Sequence, residues 1–213
     1  MTLYLWAMTV EAIRRERLGL VDWLRQLSPS DWNRPSLCAG WTVKHVVAHL
    51  VTPFEVSVPA FALSIARHRG VDRAMDAAAR RIADNNSPDE LVSVLEANAG
   101  SAWHPPRMPM VAPLTDVACH SADIRWALEE RAVDWGDPTR LRPVLDFLAD
   151  PRSSPHLVPP DRLRGVALLA EDQDWRHGEG PVVRGPSLAL AMGALGRDAA
   201  FGSLSGEGVA TLR

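Results

Sequence analysis

Cysteine is nearly absent, with only Cys38 and Cys119 in 213 residues. Two are too few for a disulfide framework and fit a reducing compartment. Long apolar runs are missing as well: no stretch approaches the ~18 uninterrupted apolar residues of a membrane helix, and the N-terminus lacks a basic-then-apolar signal pattern. The expectation is a soluble, cytoplasmic protein without a membrane partner. Nor does one sign of charge dominate. Charged residues make up 23% of the chain and the formal net charge is -3, so nothing argues for nucleic acid. No internal repeat, glycine-rich dinucleotide fingerprint, phosphate loop or Ser-His-Asp arrangement is found. What is there in quantity is apolar residues, at 46%. That is enough for one substantial core, or for a main domain with a small appendage.

The most informative stretch is Gly40–Leu50, GWTVKHVVAHL. Thr42 suits an N-cap, with Ala39-Gly40 as the turn before it, so a helix is expected from Val43. Val43, Val46, Val47 and Leu50 form one apolar stripe. His49 lies at the border of that stripe, three residues after Val46, where a lone imidazole is either a hydrogen-bonded core residue or a ligand. A second stretch, Leu114–Leu128, places Asp116, His120 and Asp123 at offsets 0, 4 and 7, on one face of a helix. A carboxylate and an imidazole one turn apart can reach a single metal. With His49 they make two His and one carboxylate, a set that leaves coordination positions open, as in a catalytic metal site.

The run LCAGWTVKHVVAHL, the DxxxHxxD helix and the tail DWRHGEGPVVRGPSLALAMGALGR together resemble the mycothiol-dependent maleylpyruvate isomerase family, within the DinB-like metalloenzyme superfamily. The resemblance spans nearly the whole chain. It implies a mostly α fold, a DinB-like up-down four-helix bundle, to which the residues past 160 add a small C-terminal α/β appendage by their own pattern. It also implies metal ligation by His49, Asp116 and His120. Where the isomerase is expected to carry Glu, this chain has Asp116, one methylene shorter. The family does not use the position of His45, so that residue, one turn before His49, is read as a non-ligand.

The remaining expectations are structural. A first helix covers Thr9–Leu27 with Thr9 as N-cap and Ile13, Leu20, Leu24 and Leu27 inward. Pro29 and Pro35 make Ser28–Ala39 a loop with one short turn at Ser30-Asp31-Trp32. The His49 helix extends toward Arg67, kinked or split by Pro53 and Pro59. Val71–Asn86 and Pro88–Ala99 are further helices, the second capped by Ser87. Arg80 and Arg81 are a solvated face or reach an anionic substrate. Gly100–Pro113, with four prolines, is an irregular loop. Its Trp103, His104, Arg107, Met108 and Met110 line a pocket or plug the bundle end, and Arg107 suits a carboxylate. Glu129-Glu130-Arg131 ends one helix, and Thr139 caps another through Ala149. The Pro- and Ser-rich Asp150–Pro160 separates a bundle, 1–150, from a small region, 161–213. There Gly165–Glu171 and Pro181–Arg184 read as a hairpin-like pair of strands, Pro186–Leu195 as a helix, and Val209–Leu212 as a third strand. His177 reads as a turn residue. Cys119 points about 100° from His120 and reads as buried, whereas Cys38, in the loop leading to the metal helix, is placed to border the site, where the resemblance implies a loop-packing role.

The chemistry expected is that of a divalent metal, Zn first, with mycothiol as a low-molecular-weight thiol cosubstrate and a small electrophilic molecule as substrate. A metal can lower a thiol's pKa and hold it as thiolate. Addition to a conjugated cis double bond, rotation and expulsion is isomerisation; displacement of a leaving group is thiol transfer. Asp123 is a candidate to orient a ligand imidazole or handle a proton. Non-haem Fe(II) oxygen chemistry and a non-catalytic metal- or ligand-binding module remain the alternatives.

Overall fold

In the computed structural model of this protein the described residues are 3–128, 138–152, 157–159 and 161–213, without the side chains of 3–5 and 138–139. The expected helix end at Glu129–Arg131 and part of the Asp150–Pro160 boundary fall outside them, whereas Thr139, the expected cap, lies in a 3-10 turn, Pro138–Leu141, and the helix after it starts only at Arg142, with Leu141 at its N-cap. Backbone contacts group the chain into two units. One comprises Met1–Trp103 with Asp116–Arg131, the other His104–Thr115 with Ala132–Arg213. Among the described residues, no helix is long and apolar enough to cross a membrane.

The first unit is helical. Helix α1 spans Leu3–Leu24, so Thr9, the expected cap, sits inside it and the helix begins earlier than its capping residue suggested. A single 3-10 turn, Asp31–Asn33, buries Trp32 in the loop that follows. Helix α2, Val43–Glu55, buries the stripe Val43, Val46, Val47 and Leu50. Pro53 lies inside α2, where it cannot donate to the carbonyl four residues earlier. The chain leaves the helix at Val56, and Ser57 caps a separate helix α3, Val58–His68, by accepting from the Ala60 N–H. The expected long helix is therefore split rather than kinked. Helices α4, Val71–Asn85, and α5, Pro88–Ala97, follow. The second opens with a reciprocal cap in which Ser87 and Glu90 satisfy each other's backbone N–H.

Helix α6, Val111–Ala127, returns to this unit from Asp116 onward. It starts two residues before the last of the four prolines that argued for a loop; Pro113 is tolerated because a first-turn N–H has no intrahelical partner. α2 packs on α4 and α5, α3 on α4, and α1 on α5. One apolar cluster joins Leu20, Val21 and Leu24 of α1, the α2 stripe, Ile82 of α4, Leu91 and Leu95 of α5, and Val117 and Ile124 of α6. This core fixes the faces of α2 and α6 that carry His49 and His120.

In the second unit, α7 (Arg142–Ala149) packs on α8 (Ser187–Ala194), beside a three-stranded sheet. Strands β1 (Ala167–Ala170), β2 (Arg176–His177) and β3 (Val182–Gly185) have the order β2-β1-β3. β1 pairs antiparallel with β2, in the register Leu168 to His177, and parallel with β3, in the register Leu168 to Val183. The two longer strands are thus parallel neighbours, not a hairpin, and His177 lies in a strand. Gly178, at φ 76, lets the chain pass so close to the Val166 carbonyl that a Cβ would collide with it. Val209–Leu212 is a short helix, α9, not a strand. The chain is mostly helical, as the family resemblance implied, with the small C-terminal α/β region expected from the residue pattern.

Candidate metal centre

Two helices of the first unit bring their polar residues together. His49 Nε2 lies 3.2 Å from Asp116 Oδ1. His120 Nε2 is 3.6 Å from the same oxygen. The two imidazoles meet edge to face with ring centroids 4.7 Å apart. All three donor atoms fall within 4.8 Å of one another. On α6 the separation of four residues stacks Asp116 under His120, while the buried stripe of α2 turns His49 toward them.

The three differ in their access to water. Side-chain exposure is 14% for His49, 16% for His120 and 41% for Asp116, so the carboxylate marks the open side. Asp123, one turn beyond His120, is 0% exposed. Its Oδ2 accepts from His120 Nδ1 at 3.0 Å. With Nδ1 donating to Asp123, it is Nε2 that faces His49 and Asp116, the nitrogen that would offer its lone pair to a cation once the ring is neutral.

Electrostatics follows from this packing. Burial pulls the His120 imidazolium down, but hydrogen bonds with Asp123 and Cys38 and the charges of Asp116 and Asp123 override it, raising its pKa well above the ordinary value. Burial likewise pushes Asp116 up, yet the neighbouring His49, then His120 and Arg17, hold its carboxyl below the usual range. Arg17 is itself buried, which lowers its pKa while Asp116 raises it. Its guanidinium donates to the carbonyls of Asn98, Ala99 and Ser101 and lies over the Phe54 ring.

Several neighbours were not anticipated. The Trp41 indole lies 5.4 Å from the His49 ring, and its Nε1 donates to Asp76 Oδ1 at 2.7 Å. Asp76 also takes Arg80, whose other nitrogen donates to the Gly40 carbonyl. Arg80 is thus engaged in holding the loop before α2. Cys38, in the loop leading to α2, borders the site through α6: the thiol donates to Asp123 Oδ2 at 3.0 Å. Cys119 is buried. His45 uses Nδ1 to accept the Thr42 N–H, closing the cap of α2. The Nδ1 of His49 is buried and has no hydrogen-bond partner among the described residues. Arg107 is exposed at φ 70, in the second unit. Met110 of the same segment is buried, and Trp103 and Met108 are half-buried.

Comparison with known proteins follows the same lines. Residues 13–104 match the model of the mycothiol maleylpyruvate isomerase N-terminal domain, a span that includes His49 and ends before α6. No curated protein matches the chain in sequence. Two solved structures share its fold. One is a histidine-to-alanine mutant of the mycothiol-dependent maleylpyruvate isomerase, at TM-score 0.59 and 16% identity, covering 97% of this chain and 96% of that one. The other is that isomerase without the substitution, at TM-score 0.56 with the same identity and coverage. Residues 13–104 therefore match the mycothiol maleylpyruvate isomerase N-terminal domain model, and the chain as a whole shares the fold of that isomerase.

Proposed function

We propose that this chain is a metal-dependent enzyme that uses a low-molecular-weight thiol, mycothiol as in its family, to isomerise or thiolate a small electrophilic substrate. The observation carrying this reading is the convergence of His49 Nε2, His120 Nε2 and Asp116 Oδ1. A tetrahedral centre with ligand bonds of about 2.0–2.1 Å separates its donors by roughly 3.3 Å. The 3.2 and 3.6 Å distances from Asp116 Oδ1 to the two imidazoles suit such a shell. The shorter Asp116, in place of the expected Glu, reaches both nitrogens from its own helix. Two imidazoles and one carboxylate fit Zn and leave positions for exchangeable ligands.

A divalent cation held there supplies a Lewis acid able to keep a thiol ionised near neutral pH. This chain's residues do the rest. Asp123 fixes the His120 ring and its tautomer. The Trp41 ring shields one flank of His49, so reactants are left the side where Asp116 is exposed. Arg107 is proposed to bind a substrate carboxylate. The cosubstrate thiolate forms a C–S bond to one carbon of a conjugated cis double bond, and the electron pair moves onto the conjugated carbonyl. Rotation about the new single bond and expulsion of the thiolate restore the double bond in the trans form. If the substrate carries a leaving group instead, the C–S bond persists and the product is a thioether. Of the two cysteines, Cys38 directs its thiol at Asp123 and Cys119 is buried, so neither competes with the cosubstrate thiol as the nucleophile.

The test is elemental analysis of the full chain followed by thiol-depletion and product assays with mycothiol, before chelation, after it, and after Zn is restored. The expected result is about one metal per chain and turnover that needs both metal and thiol. Bound metal with no thiol consumed across a panel of electrophiles would make the chain a binding module, and iron-dependent oxygen uptake would make it an oxygenase.

A further inference from the structure

The loop before α2 meets α6 at Asp123. The Leu37 N–H donates to the Asp123 carbonyl at 3.0 Å, and the Cys38 thiol donates to Asp123 Oδ2 at 3.0 Å. That oxygen is the one His120 Nδ1 contacts, and Cys38 Sγ stands 3.6 Å from Nδ1. We propose that Cys38 is a positioning residue of the metal centre: its thiol locks the Asp123 carboxylate in the orientation that aims His120 Nε2 at the cation. This rests on the reading above.

The physical need is clear from Asp123 itself. Its last torsion is of the sp³–sp² kind, with broad wells, so each donor on its oxygens narrows the range of the carboxylate plane. Full burial of an anion also demands donors at its oxygens. A second donor on Oδ2 meets both needs, and a thiol donating to a carboxylate gains from the charge.

Cys38 can act as a pin because its own backbone is fixed. Its N–H donates to Ser36 Oγ, its carbonyl accepts the Trp41 N–H, and the Trp41 carbonyl accepts the Ser36 N–H. Only one side-chain torsion remains free to place the sulfur.

Cys38, His120 and Asp123 also form a donor triple of their own. The hydrogen bonds assign them otherwise. His120 Nδ1 and the thiol both point at an Asp123 that is 0% exposed, whereas His120 Nε2 faces the partly open side with Asp116.

Stripped full-length protein titrated with Co²⁺, with Zn²⁺ in competition, decides the matter. Cys38→Ala is expected to weaken cation affinity roughly tenfold, as loss of a group supporting a ligand does, and to alter the d–d spectrum. Cys38→Ser, which restores a donor, is expected to recover most of the affinity. Should Cys38→Ala fail to fold, the near-isosteric Cys38→Val has no donor and carries the same expectation. Unchanged affinity in the Ala or Val variant, or a Ser variant no better than Ala, reduces Cys38 to packing and overturns the proposal alone. A thiolate-to-cobalt charge-transfer band in the parent protein, lost in Cys38→Ala, makes Cys38 a ligand and overturns it too. A parent protein that takes up no cobalt overturns both this proposal and the metal-centre reading.

Discussion

His45 and His49 stand one turn apart on α2, and periodicity alone treats them as equals. Hydrogen bonding separates them. His45 accepts the Thr42 N–H at 3.2 Å, while His49 Nε2 faces Asp116 Oδ1. His49→Ala is expected to abolish stoichiometric metal, measured by elemental analysis after dialysis. His45→Ala is expected to leave metal in place and to cost ~0.5–1.5 kcal/mol in a urea melt, the net worth of one hydrogen bond. The reverse pattern would put the ligand on the wrong turn. A second residue-scale expectation concerns Asp76. Hydrogen bonds from Arg80 and Trp41 outweigh partial burial and hold its carboxyl below the ordinary range. A depressed folded-state pKa gives stability that is present above the unfolded value and lost as pH falls through the folded one. The parent protein should therefore lose stability below about pH 4 more steeply than Asp76→Asn. Parallel acid-denaturation curves for the two would contradict this. At this scale the sequence disclosed what helical period controls, namely that Asp116, His120 and Asp123 share a face. It did not disclose the Cys38 contact or the Trp41 ring beside His49, because no period dictates where a loop side chain points.

Helices were readable where their ends are chemically marked. Ser87, Pro88 and Glu90 announce the start of α5, and the structure has that reciprocal cap. Ser87→Ala is expected to cost about 1 kcal/mol with unchanged metal affinity, giving a control for stability losses remote from the centre. A loss of metal in that variant would show that the centre depends on helix ends far from it. Where signals conflict with tertiary packing, the reading failed for identifiable reasons. Thr9 has the right chemistry for a cap, but the chain is already helical from Leu3. Pro113 was taken as a loop residue, although a first helical turn has no N–H bond to lose. In the second unit the pairing of β1 with β3 depends on hydrogen bonds between segments whose local pattern also suits a hairpin. Four apolar-leaning residues such as Val209–Leu212 are too few to tell helix from strand.

Across the whole molecule, all three candidate ligands belong to the first unit, and a division of labour is proposed from this. The organisation read from sequence, with a bundle over 1–150 and a small region over 161–213, concerns independent folding, so it stands as a proposal. Helix α7 buries Leu145, Phe147 and Leu148 and packs on α8 within the second unit. Removing 161–213 should therefore expose that apolar face, raising dye binding and aggregation. A chain ended after Leu128 avoids leaving α7 behind, and is expected to keep its helical circular dichroism and its metal. Loss of metal from a still-helical fragment would show that the second unit is needed to hold the cation. The most direct measurement is anomalous diffraction at the zinc edge from crystals of the zinc-loaded full chain. A single peak about 2.0–2.2 Å from His49 Nε2, His120 Nε2 and Asp116 Oδ1 is the predicted result, whereas a peak held by other side chains, or none at these three, would contradict the account.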